Sequence, residues 1–484
     1  MMEQLPEEIE DIERGFPNEP EDLATRVTQL IKLNEGEEGV ELWKKHSIYK
    51  VHAAMAAVNP GAFTPKVVSM GPYHHGKEHL MPMEVHKQRA ARRFILDSGN
   101  SIKDFIDGLW EVLPELMDSY SQLDPVWRED KNKGRFLELM LIDGCFLIEI
   151  LHIRGEISGN YDEHDPILSF NGTLSYPLVE DLMMLENQVP FTALEKLLTI
   201  QNGGAPEQNS EFIKDFMPLF LYGRKHPDVR KGMHMLDVAR HGLFKLELSD
   251  DGVSQLLAVG KEITEHGGFV GANEETLKYV GEMHPAKRSR SVMELCRAGV
   301  KFRKAEDETI PLTSIVFENN GVITIPVIPL HFLSEVQGCN MVAFELIHPG
   351  TFFPTLSYFT FMKGLLTSAA DVRHLRSLKI IQSTESSDDA IVETFKMFAK
   401  DTELVTPGTR LYQVQDQLHK FYDARMTGCK GIIWEWYTSL KQKYFKNPWT
   451  SISVAAAIIL LAFAAVQTYY TALPYWYSKH HKNN

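Results

Sequence analysis

The sequence predicts a mainly α-helical protein, with a single large helical domain, a small antiparallel β-hairpin or sheet, and one C-terminal transmembrane helix. Three observations carry that reading. Apolar residues recur at helical spacing through most of the chain, as at Ile102, Phe105, Ile106, Leu109, Val112 and Leu113. The period shortens once, where β-branched runs flank Asn319-Asn320-Gly321, a step that suits a tight hairpin turn because glycine accepts positive φ. Finally, residues 449–466 read WTSISVAAAIILLAFAAV, without a charge. As a helix such a run is roughly 27 Å long, close to the hydrocarbon thickness of a bilayer. Trp449 at one end, and Tyr469 and Tyr470 just beyond Val466 at the other, place aromatic rings where they favour the lipid–water boundary.

Composition narrows the function classes. Of the 484 residues 44% are hydrophobic, enough to bury a core ahead of the span. A net charge of −15 argues against nucleic-acid binding, which needs a clustered positive surface. Cys145, Cys296, Cys339 and Cys429 show no paired spacing, so they read as reduced thiols of a cytosolic compartment. Residues 1–22 hold nine acids and one base, Arg14, with no apolar run, unlike a secretory signal. The expected topology is therefore tail-anchored, with the bulk of the chain cytosolic, at the plasma membrane or the endoplasmic reticulum. Arg425, Lys430, Lys441, Lys443 and Lys446 before the span, against Lys479 and Lys482 after it, agree with that orientation. The tripeptide Asn171-Gly172-Thr173 is a glycosylation sequon that the cytosol would leave unmodified.

In order, residues 1–42 read as an acidic, partly disordered leader with a short helix from about 22 to 34. The globular domain is expected over 43–430. Its first part, 46–70, reads as extended or looped, followed by the turn-rich SMGPYHHGKE and a helix over 83–96 with a basic face of His86, Lys87, Arg89, Arg92 and Arg93. Residues 101–117 form one amphipathic helix. Residues 135–153 are apolar nearly all round, which marks a buried helix whose Glu138, Asp143 and Glu149 need partners. A second apolar helix over 176–199 is broken at 187–190, where Pro190 lacks an amide. After a polar linker at 201–209 come short helices at 212–221 and 233–242, a surface excursion at 248–274 and a helix at 287–297. Strands are expected at 300–303, 314–318 and 322–327, then helices at 339–347, 358–367, 370–375, 390–400 and 412–422. A basic-aromatic juxtamembrane helix fills 431–448, the transmembrane helix 449–470 and a short tail 471–484.

The most concentrated reactive side chains are His74, His75, His79 and His86, which with Glu78 or Glu84 are of the type that suits zinc, although HExxH is absent. Asp143, Glu186 and Asn187 are polar residues inside apolar helices, either an acid/base set or partners for Arg89, Arg92 and Arg93. Cys145 and His152 lie two helical turns apart, about 10 Å, too far for a nucleophile and its base. There is no glycine-rich phosphate loop and no serine nucleophile elbow. No cofactor is expected. Histidines that tie a tight loop to buried acids account for the cluster without any catalysis.

Several strings resemble the blocks of the plant family called domain of unknown function 247. They are AFTPKVVSMGPYHHGKEHLMPMEVHKQRAARRFI (62–95), LIDGCFLIEIL (141–151), DLMMLENQVPF (181–191), CRAGVKFRK (296–304), IPVIPL (325–330), MVAFEL (341–346) and NPWTSISVAAAIILLAFAAVQTYY (447–470). The sequence departs from the resemblance at His46-Ser47-Ile48-Tyr49, where the family commonly carries a cysteine pair. The resemblance implies a single-pass membrane protein of land plants without an assigned catalytic activity. Some grass members are implicated in self-incompatibility, which implies recognition of a partner. The expectation is thus an interaction protein whose partners are the lipid bilayer and an unidentified protein. The alternative is an enzyme of unknown reaction, with or without a metal, using the His74–His86 loop and the buried carboxylates.

Overall fold

The computed structural model describes residues 45–57, 59–154, 175–203, 232–247, 289–330, 333–348, 351–382, 387–400, 405–426 and 448–480. The leader, the sequon at 171–173, most of the 201–209 linker, the helix expected at 212–221, the 248–274 excursion and the basic-aromatic stretch at 431–445 lie outside these residues.

The main helices are α1 (Met81–Ser98), α2 (Ile102–Glu111), α3 (Leu113–Asp118), α4 (Asp130–Arg154), α5 (Ser175–Leu182), α6 (Phe191–Gln201) and α7 (Met235–Leu243). They are followed by α8 (Val292–Arg297), α9 (Glu335–Ile347), α10 (Pro354–Leu365), α11 (Ala369–Ser377), α12 (Asp388–Phe398), α13 (Arg410–Met426) and α14 (Pro448–His480). The strands are β1 (Lys301–Lys304), β2 (Val316–Glu318), β3 (Val322–Ile325), β4 (Ile328–Pro329) and β5 (Ile381–Gln382).

The chain divides into two compact units, Met1–Gly242 with Ser334–His348, and Leu243–Leu333 with Pro349–Asn484. In the first, α4 is the central element. Phe136, Met140, Cys145, Phe146, Ile148 and Leu151 on it are all fully or almost fully buried, and α1, α2 and α6 pack around it. The stretch expected as one helix over 101–117 is two. Ser101 caps α2 through a reciprocal pair with Asp104, and Pro114 starts α3 because its missing amide is harmless in a first turn. The inserted α9 belongs to this unit because the buried Asn340 accepts from Leu185 N–H at 2.8 Å and donates to Ala62 C=O at 2.7 Å.

In the second unit the sheet is mixed, with order β1-β3-β2. The hairpin β2–β3 is antiparallel as expected, and Gly321 sits at its turn with φ +87°, where an added Cβ would lie 2.6 Å from Phe421. The correction concerns β1, which runs parallel to β3 in the register Lys301↔Val322. Residues 305–315 and then β2 carry the chain back, which is the crossover a parallel pair requires. Helix α13 packs on β2, where Phe421 meets Phe317 edge-on at 5.4 Å, while α12 packs against α10 and α11, with Phe359 and Phe398 stacked at 4.3 Å.

Helix α14 is continuous over 33 residues. Among the described residues, however, no helix is long and apolar enough to cross a membrane, so the transmembrane helix expected at 449–470 is not a finding of the structure. Side chains at 448–451, 454, 455, 458 and 472–480 fall outside the described residues.

Candidate functional site

The residues singled out by their chemistry do converge in part, and what they converge on is backbone. Residues 66–72 thread between α1, α4 and the α5–α6 connection without joining any sheet, yet Val68, Ser69, Met70 and Gly71 are buried. Buried amides and carbonyls need partners, and here side chains supply them. The Asp181 carboxylate accepts from the amides of Lys66, Val67 and Val68 at 2.6–3.0 Å. Asn187 accepts from Met70 N–H at 2.7 Å and donates to Val68 C=O at 3.0 Å and Asp181 C=O at 2.9 Å. Asp143 accepts from Gly71 N–H at 2.8 Å, and Lys87 Nζ donates to Ser69 C=O at 2.8 Å.

Lys87 and Asp143 form an ion pair at 2.6 Å with both side chains at 0% exposure, and Glu84 approaches the same ammonium at 2.7 Å. Burial works to lower the Lys87 pKa, but Asp143 and Glu84 outweigh it and hold the ammonium above its ordinary value. This corrects the expected partnership. Lys87, placed by sequence on a solvated basic face, points inward with Met83, Ala90, Ala91 and Phe94, whereas Arg93 reaches Asp97 on its own helix. The spacing 83-87-90-91-94 is itself helical, so one buried face containing a lysine was the available signal.

The break between α5 and α6 spans 183–190, earlier than the proline alone required. Gln188 Nε2 donates to the carbonyls of Leu182 and Met184, both at 2.7 Å, so it caps the end of α5, while its Oε1 accepts from Leu236 N–H at 3.1 Å. Gly71 fits beneath this connection. Its φ is +68°, and a Cβ there would lie 2.7 Å from both Gln188 C=O and the Tyr120 hydroxyl.

The histidines separate. His74 is buried, and the Lys77 ammonium donates to its Nδ1 at 2.6 Å, so its proton sits on Nε2, 3.2 Å from Glu186. Glu186 also accepts from Val51 N–H at 2.7 Å. Burial would raise the Glu186 pKa, but His74, the Val51 amide and Lys50 together hold it below its ordinary value. The His75 ring packs edge-on to Trp127 at 6.1 Å, His79 bonds Pro65 C=O at 3.0 Å, and His86 is half-buried on α1. They do not meet at one point, and among the described residues no group of three or more His, Cys, Asp or Glu could hold a metal ion. Glu149 lies 3.5 Å from His152, and burial pushes the Cys145 thiol far up. A cavity in the second unit, lined in part by Arg290, Phe361, Gln415 and His419, has about 20 Å³ of space, room for about one water.

Together these carboxylate, amide and ammonium side chains form a clamp on residues 66–72. The family described as "Plant protein of unknown function", DUF247, matches over residues 48–463. The chain belongs to the DUF247 family. Two relatives from Arabidopsis thaliana are similar along nearly their whole length. "UPF0481 protein At3g47200" is 28% identical over 450 residues, covering 90% of this chain and 88% of the relative. "Putative UPF0481 protein At3g02645" is 23% identical over 500 residues, covering 87% and 89%. No solved structure matches. The DUF247 match includes every residue of the clamp, from Lys66 to Gln188. Asp181 and Gln188, two of its main hydrogen-bonding side chains, were not among the candidates drawn from sequence, although both stand in the block 181–191.

Proposed function

We propose that this DUF247 protein is a single-pass membrane protein that presents a non-catalytic, α-rich interaction domain on the cytosolic side. The observation that carries the anchoring is the surface of α14. Ile459, Leu460, Leu461 and Phe463 are 55%, 68%, 71% and 68% exposed, every position from 459 to 471 is exposed, and at 100° per residue those positions cover all sides of the helix. A helix apolar all round is stable inside a protein core or in lipid, and these side chains are exposed. Tyr469 and Tyr470, in edge contact at 5.7 Å, then fall at the lipid boundary, as the sequence reading expects. The non-catalytic reading is supported by the occupation of Asp143, Asn187 and Lys87, whose polar atoms hold backbone or each other. The recognised partner is a protein.

Alkaline extraction of membranes from cells expressing the full chain tests the anchor. The intact protein is expected in the pellet and a variant lacking 449–466 in the supernatant, and equal release of both removes the anchor. Proximity labelling from the domain should recover a specific protein set that the soluble variant loses. A glycosidase-sensitive mobility shift at Asn171 would overturn the cytosolic orientation.

A further inference from the structure

Residues 46–51 are a separate strap across the first unit, held by imidazoles, by backbone and, at Val51 N–H, by the Glu186 carboxylate at 2.7 Å. Ser47 and Ile48 donate their amides to Ser119 C=O at 2.9 Å, Ser121 N–H returns to Ile48 C=O at 2.9 Å, and His46 Nδ1 meets Asp118 C=O at 2.7 Å. Ser47 C=O lies 2.8 Å from Nε2 of His234, the residue just before α7. The Tyr49 hydroxyl donates to His46 C=O at 2.8 Å and lies 2.9 Å from His348 Nδ1, just after α9. Ser47, Ile48 and Tyr49 are buried, and His234 is fully so.

The His234 contacts accept only a neutral ring. His234 Nδ1 takes the Asp237 amide at 3.3 Å, so its single proton must sit on Nε2, donated to Ser47. A second proton on Nδ1 would face an N–H donor. The Tyr49 hydroxyl gives its one proton to His46 C=O, so His348 donates from Nδ1 and any added proton goes to Nε2. The Arg240 guanidinium also opposes a further cation: it lies 5.5 Å from the Phe344 ring, which itself stacks on His348 at 4.9 Å and meets His234 edge-on at 5.2 Å. Asp237 would favour protonation, but Arg240 at 3.0 Å and His241 at 3.7 Å already engage it, and Glu345 is engaged by Arg240 at 3.2 Å.

We propose that residues 46–51 form an acid-released latch, closed while His234 and His348 are neutral and opened by their protonation, with the remainder of the first unit still folded. Burial, the largest influence on both rings, pushes each pKa down to about 4, and Arg240 adds to it. An open strap returns the rings to about 6.5. Each imidazole therefore favours opening by about 20-fold on going from about pH 7 to about pH 5.

Hydrogen exchange on the full-length protein in detergent, corrected for intrinsic rates, reads the latch directly. The amides of Ser47, Ile48, Val51 and Ser121 should lose at least about 20-fold protection at about pH 5 while α1, α4 and α6 keep theirs. In His234→Gln, which keeps a donor but does not titrate, the acid effect should shrink to that of His348 alone. Equal acid opening in His234→Gln/His348→Gln and the wild type overturns the proposal, as does uniform loss across α1, α4 and α6. Should the variants not fold, imidazole NMR titration of the wild type decides, because rings titrating near 6.5 in the folded protein also overturn it.

Discussion

Replacing Lys87 by Met is the most direct probe of the clamp. Methionine keeps the volume and the helix propensity but removes the ammonium that lies 2.6 Å from Asp143, 2.7 Å from Glu84 and 2.8 Å from Ser69 C=O. Asp143 at 0% exposure would keep only the Gly71 amide. Leaving one member of a buried ion pair without its partner typically costs about 3–5 kcal/mol, a large part of a total stability of about 5–15 kcal/mol. Adding Asp143→Asn removes the stranded charge and keeps an oxygen for Gly71 N–H, so the double variant should recover about half of the loss or more. Denaturant unfolding monitored by tryptophan fluorescence measures both. A single variant that loses less than about 1 kcal/mol, or a double variant no better than the single, would refute the idea that this charge pair organises residues 66–72.

Further outcomes follow from neighbouring contacts. Gly71→Ala meets both a left-handed φ, worth about 1–2 kcal/mol, and a Cβ 2.7 Å from two oxygens, so thermal melting should show a larger drop than a left-handed penalty alone. Asn187→Asp puts an oxygen against the carbonyls of Val68 and Asp181, with an expected loss of about 2–4 kcal/mol, whereas an unchanged denaturation midpoint would remove Asn187 from the clamp. Glu186 has a folded pKa below its ordinary value, so its contribution is present above the unfolded pKa of about 4.3 and is lost as pH falls through the folded value. Melting temperature followed from about pH 5 to about pH 3 should therefore fall less in Glu186→Gln than in wild type. Cys145, buried with its thiol pushed far up, should resist alkylation in the native protein and react only on unfolding.

Much of the fold was legible because helices announce themselves locally. Periodicity located α1, α4 and α10–α13 to within a few residues, and Asn320-Gly321 located the hairpin, since a turn needing positive φ has few residue choices. Serine caps were equally readable and explain helix starts that periodicity placed loosely. Ser101, Ser291, Ser334 and Ser368 each precede a helix and pair with the residue three positions on. The direction of β1 was not legible, because a short strand carries no mark of which partner it will meet. Nor was the membership of α9, which depends on Asn340 reaching residues 155 and 278 positions away.

For the candidate site, the sequence alone determined which residue types had to be accounted for: four nearby histidines, and Asp143, Glu186 and Asn187 inside apolar helices. A buried polar group must have a partner, and that rule holds before any coordinate is known. Only the tertiary structure decided the partners. Asp143 and Asn187 serve an extended backbone that no strand pairs with, His74 serves Glu186, and a lysine at the Met83–Phe94 face answers the buried charge. The physical reason is that hydrogen bonds over 72 to 119 residues of separation are selected by how helices pack, and packing is a property of the whole chain.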